Sequence, residues 1–142
     1  MTLAGRNQRG LTQQEIDSCL LAWDVLCGSQ PRELVVTEAA RHSSRTRFNQ
    51  ADGKVYLGAD VLPGKGIEAN SRLTMLACLA HELAHAERFE LGFDRPATWP
   101  DNLCDEAETS VHASFHPFLP ALDRIDLVED ARDRLIQWLS EK

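Results

Sequence analysis

No run of apolar residues in this chain reaches the length of a membrane span, and its opening stretch, Met1 to Gly10, is polar with two arginines and no apolar signal segment. These absences predict a cytoplasmic protein without a membrane partner. Cysteine is sparse: Cys19, Cys27, Cys78 and Cys104 form no Cys-x-x-Cys pair and are too few for a disulfide framework, so they read as thiols. Internal repeats, low-complexity tracts and interdomain linkers are also missing. The 142 residues, 43% hydrophobic and 26% charged, are therefore expected to build one domain over residues 1–142, with residues 1–10 flexible.

Positive charge is scarce in the second half. Residues 1–80 hold nine basic and eight acidic side chains, whereas residues 81–142 hold six and fourteen, which gives the net charge of −7. This balance argues against indiscriminate nucleic-acid binding. Arg41, His42, Arg45 and Arg47 form the one basic cluster, so Arg41, Arg45 and Arg47 are candidate phosphate contacts, against the plainer reading of a solvated strand face.

What the chain does contain is a pentad, His81-Glu82-Leu83-Ala84-His85, within a long apolar stretch of helical period. Side chains at i and i+4 share a helix face about one turn apart, so His81 and His85 can each direct one nitrogen to a single zinc ion. Glu82 lies one position round, beside the metal, where a carboxylate can take a proton from a water molecule. The competing reading is a chance match in a histidine-containing core helix. Against it, Asn70 and Ser71 can cap the helix start, Gly92 can end it, and Leu73, Leu76, Ala77, Ala80, Leu83, Ala84 and Ala86 form a wide apolar stripe. In such a buried helix two histidines and a glutamate are costly unless something such as a metal satisfies them.

Around this helix the sequence predicts an α+β fold with a small antiparallel three-stranded sheet and about four helices. Thr12 to Cys27 has helical spacing and a Thr12/Glu15 capping box. Arg32 to Thr37 has strand character, and Thr46–Asn49 and Lys54–Leu57 flank an Asp52-Gly53 hairpin turn. Further helices are expected from Asp101 to about Phe115, before His116-Pro117, and from Ile125 to Leu139.

A catalytic zinc takes a third protein ligand and leaves a position for water. No histidine follows His85 at the short spacing that would extend the motif, so a carboxylate of the helix from Asp101 is expected. Leu103, Ala107, Val111 and Phe115 mark the apolar stripe of that helix; Glu108 lies beside the stripe and is preferred, with Glu106, farther round, as the alternative. Cys104, one turn before Glu108, could then place sulfur on the open zinc position and silence the enzyme, against the plainer reading of a small buried hydrophobe. His112 and His116 are candidate oxyanion contacts, though each reads more readily as a surface or packed histidine.

These residues resemble the ImmA/IrrE-type metallopeptidases, with His-Glu-Leu-Ala-His on one helix and Asp-Glu-Ala-Glu-Thr-Ser-Val-His-Ala on the next, over about residues 10 to 120. Within that family the short chain and the cysteine before the acidic segment are most similar to the CapP peptidases that accompany CBASS anti-phage operons. The resemblance implies a compact zincin-like, gluzincin-type domain in which His81, His85 and Glu108 bind Zn2+ and Glu82 is the general base. It further implies cleavage of a helix-turn-helix transcriptional repressor to induce a defence or stress operon, activation by single-stranded DNA, and Cys104 as an inhibitory zinc ligand. Two rival readings stand beside it: a regulatory protein with a structural metal site that binds a repressor without cutting it, and a helical scaffold that binds no metal.

Overall fold

The computed structural model describes residues 5–93, 96 and 98–142. Helix α1 (Gln13–Cys27) starts at the expected capping box: Thr12 Oγ1 accepts from the Glu15 amide at 3.2 Å, and Glu15 Oε1 accepts from the Thr12 amide at 2.8 Å. Its inward face carries Ile16, Cys19, Trp23 and Leu26. The Trp23 indole N–H, which would be costly to bury alone, donates to the Arg32 carbonyl at 2.7 Å. Gly28 (φ 59°) ends the helix in a conformation that favours glycine.

The three strands are β1 (Leu34–Val35), β2 (Arg47–Asn49) and β3 (Lys54–Tyr56), in the order β1-β3-β2. The β2–β3 hairpin pairs Phe48 with Val55 in antiparallel register, and Gly53, at φ 71°, takes the positive-φ place in its turn. The expected all-antiparallel sheet is corrected: β1 joins the other edge of β3 in parallel, with Leu34 opposite Val55. The long connection between β1 and β2 lets the chain re-enter on the hairpin side, so β3 becomes the central strand.

The pentad helix is shorter than expected. Asn70 and Ser71 sit in a separate one-turn helix α2 (Ala69–Arg72), and α3 (Met75–Glu90) begins at Thr74, whose hydroxyl accepts from the Ala77 amide at 3.1 Å. From Ala77 to Ala86 every α3 residue is buried, as expected for a helix enclosed on all sides. Fully buried Leu79 and Leu83 each contribute about 1.5–3 kcal/mol through removal from water.

Helices α4 (Asn102–Ser114) and α5 (Ala121–Glu141) pack on each other and on α3. The apolar stripe expected on α4 holds in its first half, where Leu103 and Ala107 are buried, and is corrected in its second, where Val111 and Phe115 are exposed. On α5 Ala131 is buried but Val128, Leu135 and Leu139 are exposed, whereas Glu106, Thr109, Ser110, Asp123 and Asp130 are buried. Among the described residues no helix is long and apolar enough to cross a membrane, and all four cysteines are free thiols.

Of the opening segment expected to be flexible, residues 1–4 lie outside the described residues, and the rest is anchored. Arg6, 4% exposed, donates to the carbonyls of Asp60, Val61, Asn70 and Leu73 at 2.6–2.9 Å. A guanidinium is a multiple donor without an acceptor, so one side chain satisfies the carbonyls of two turns at once.

Candidate metal centre

Helix α3 turns His81 and His85 toward the same side, with ring centroids 4.8 Å apart and planes at 85°. Glu106 of α4 comes up against both: His81 Nε2 lies 3.0 Å from one carboxylate oxygen and His85 Nε2 lies 3.0 Å from the other. One ligand atom from each of the three residues falls within 4.8 Å of the others, and all three side chains are buried.

The second nitrogen of each ring identifies what this arrangement requires. Ser110 Oγ donates to Asp130 Oδ2 at 2.7 Å, so it accepts from His81 Nδ1 at 2.9 Å. Thr109 Oγ1 donates to the Asp105 carbonyl at 2.7 Å and so accepts from His85 Nδ1 at 3.4 Å. A ring held neutral, as burial favours for His81, then carries its proton on Nδ1 and turns the lone pair of Nε2 on a carboxylate oxygen. Two such acceptor pairs repel unless a cation lies between them. Burial lowers the proton affinity of His81 and outweighs the opposing pull of Glu106. Burial raises the Glu106 carboxyl, but in the ion-free chain attraction to His85 and hydrogen bonds from both rings hold it well below the usual carboxylate range, a role that a cation would take over. Neutral imidazoles and an ionised carboxylate are the forms that bind metal.

Zinc bonds of about 2.0–2.1 Å in tetrahedral geometry set donor atoms about 3.3 Å apart; the two imidazole–carboxylate distances of 3.0 Å, one to each oxygen, are close to this, and the whole group, within 4.8 Å, would draw in around an ion. Acidic side chains are in surplus around the group: Glu82, Glu106 and Asp130 are buried near Arg134, whose Nη1 lies 3.4 Å from Glu106, and a cation would offset that surplus. The residues fit a metal ion.

The remaining candidates fall as follows. Glu82 is buried on the pentad helix, and among the described residues its carboxylate forms no hydrogen bond, which leaves it able to accept from a water or substrate N–H. The preference for Glu108 is corrected in favour of Glu106. The Glu108 side chain is 62% exposed and pairs with Arg88 at 2.9 Å, on the flank of the helix away from the imidazoles. Cys104 precedes Glu106 by two positions, about 200° round the helix, and is not part of the metal-binding group. Its thiol is pushed up by burial and by the nearby Asp101 and Glu108. His116 Nε2 bonds the Leu26 carbonyl at 2.8 Å, and His112 lies 3.4 Å from Glu87; neither reaches the centre.

The basic cluster divides. Arg47 pairs with Glu38 at 2.8 Å and stacks over Tyr56, and Arg41 lies 3.8 Å from the same Glu38. Arg45 instead lines a cleft of about 780 Å³ that also reaches Glu106, Arg134, Asn70, Asn102 and Trp99.

The sequence reading missed Ser110, Thr109, Asp130 and Arg134. A signal existed in α4: Glu106, Thr109, Ser110 and Ser114 recur at helical spacing and form a polar face of small residues opposite Val111 and Phe115. Compared with known proteins, the chain matches no family model, no curated protein and no solved structure.

Proposed function

We propose that this protein is a zinc metallopeptidase of the gluzincin type, in which His81, His85 and Glu106 hold the ion and Glu82 is the general base. The observation that carries the reading is the convergence of two Nε2 lone pairs and one carboxylate on a buried point at the edge of a large cleft, with Glu82 one residue from His81. When bound, the ion supplies Lewis acidity to a water molecule and to the scissile carbonyl. Glu82 would take the proton of an attacking water and return it to the leaving amine.

Two features of the cleft favour a peptide as substrate. Asn70 presents both its amide N–H2 and its carbonyl oxygen buried and without a partner among the described residues, and Asn102 presents an unpartnered Oδ1. A side-chain amide of this kind matches the alternating C=O and N–H groups of an extended main chain. Strand β2, an edge of the sheet, lies against α3, where the Phe48 ring stacks on His85 with centroids 6.3 Å apart. An extended segment added along β2 would run past the metal centre.

In this reading the substrate is a helix-turn-helix repressor, cut to induce a stress or anti-phage operon, and single-stranded DNA is the activating signal. The test incubates zinc-loaded protein with the repressor encoded beside its gene, with and without single-stranded DNA. Cleavage that falls roughly 10²- to 10⁴-fold in Glu82→Gln while zinc is retained is the expected result. Stoichiometric zinc and repressor binding without cleavage would replace the peptidase with a regulatory binding protein.

A further inference from the structure

Helix α5 buries Asp130, at 1% exposure, while leaving Ile125 and Val128 of the same helix about half exposed. On stability alone this is the wrong way round, because a buried carboxylate loses hydration that an aliphatic side chain would not. The partners of Asp130 supply the reason. Its Oδ2 accepts from Ser110 Oγ at 2.7 Å and from Arg134 Nε at 2.9 Å. Ser110 in turn holds Nδ1 of His81 at 2.9 Å, and Arg134 Nη1 lies 3.4 Å from Glu106 Oε2, the oxygen that faces His81 Nε2 at 3.0 Å. His81, Ser110, Asp130, Arg134 and Glu106 thus close a ring, buried throughout or nearly so, in which one aspartate oxygen is tied to both a histidine and a glutamate of the metal centre.

The geometry points to Asp130 as the positioning residue of the centre: it fixes the proton of His81 on Nδ1 through Ser110 and sets the angle of the Glu106 carboxylate through Arg134. This rests on the reading of the site given above. The direction of the chain follows from donor counting. A carboxylate can only accept, so Ser110 spends its single proton on Asp130 and must accept from His81. The ring nitrogen that faces Glu106 is then left as a lone pair, the form a metal needs. A leucine at 130 would break this order, since it offers Ser110 no acceptor, whereas an asparagine would keep it by turning its oxygen to Ser110 and Arg134. In Asp130→Leu the Ser110 proton would turn to His81 Nδ1, and the histidine would carry its own proton on Nε2, facing Glu106.

Two measurements on Asp130→Leu and Ser110→Ala test the assignment, with Asp126→Asn as a control for loss of an α5 carboxylate that pairs elsewhere, with Arg72. Long-range proton–nitrogen NMR on the metal-free protein reads the His81 tautomer; the wild type and Asp126→Asn are expected as Nδ1–H and Asp130→Leu as Nε2–H. Zinc affinity by chelator competition is expected to fall roughly 10- to 100-fold in Asp130→Leu and in Ser110→Ala, and to stay within twofold in Asp126→Asn. The double variant should lose little more than either single, because both break one path. An unchanged tautomer, or zinc affinity within twofold of a zinc-binding wild type, would overturn the role of Asp130. If Asp130→Leu does not fold, Ser110→Ala decides by the same affinity criterion. A wild type that takes up no zinc overturns the reading of the centre instead, and the tautomer then decides alone whether Asp130 orients His81.

Discussion

Helices α3 and α4 meet at the same three ligand atoms, yet α3 buries mainly apolar residues whereas α4 buries five polar residues beside Leu103, Ala107 and Ala113. Between Ala77 and Ala86, α3 buries alanines and leucines on every side and admits polar groups only at His81, Glu82 and His85. Helix α4 turns Glu106, Thr109 and Ser110 inward and leaves Val111 and Phe115 in solvent. Apolar periodicity finds the inner face where the neighbours are apolar. Where the neighbours are imidazoles, a guanidinium and an aspartate, the inner face is the one that can satisfy them, and burial follows hydrogen-bonding need.

The largest effect should come from exchanging the two candidate glutamates. Glu106→Gln is expected to weaken zinc binding by more than the roughly 100-fold that outer-shell changes cost, whereas Glu108→Gln should bind zinc as the wild type does. Measured by chelator competition, equal losses in the two variants would remove the contrast between the buried and the exposed position. Next in size is stability. Leu83→Ala, in the enclosed part of α3, should cost about 2–5 kcal/mol in urea unfolding, while Val128→Ala on the outer face of α5 should stay within about 0.5 kcal/mol. Comparable costs would mean that the exposed apolar face of α5 is covered in solution.

A smaller effect lies at the start of α1. Hydrogen bonds from Arg9 and then from the Thr12 amide lower the Glu15 carboxyl to about 2 from its ordinary 4.5. A depressed carboxyl stabilises the fold above its unfolded value and loses that contribution as the pH drops through the folded one. The advantage of wild type over Glu15→Ala should thus be about 0.5–1 kcal/mol near neutrality and fade as the pH falls from about 4.5 toward about 2, read from unfolding midpoints across that range. The smallest effect, none beyond error, is expected for Cys104→Ser on zinc affinity, because its side chain leaves α4 about 200° from Glu106. Tighter or weaker zinc in that variant would return the thiol to the centre.

Local chemistry accounts for what could be read in advance. The Thr12/Glu15 capping box, the Asp52-Gly53 turn and the His81–His85 spacing each act within a few residues, so their signals survive without knowledge of neighbours. The break between α2 and α3 was less visible, because Leu73 continues the apolar stripe while Thr74 supplies a better cap one turn later than Asn70 and Ser71. Parallel pairing of β1 depended on where the hairpin left a free edge, and the choice between Glu106 and Glu108 depended on what stood opposite α4.

By itself, then, the order of residues determined an α+β chain with a buried helix carrying two histidines and a glutamate at metal-binding spacing, because helix period and capping are local properties. Only the tertiary structure decided that Glu106 is the third member of the group, that Ser110 and Thr109 occupy the outer nitrogens of the two rings, and that Asp130 and Arg134 of α5 close the circuit behind them. Those choices rest on contacts between residues 20 to 29 positions apart, where burial forces every polar group to find a partner and the partner it finds is set by packing.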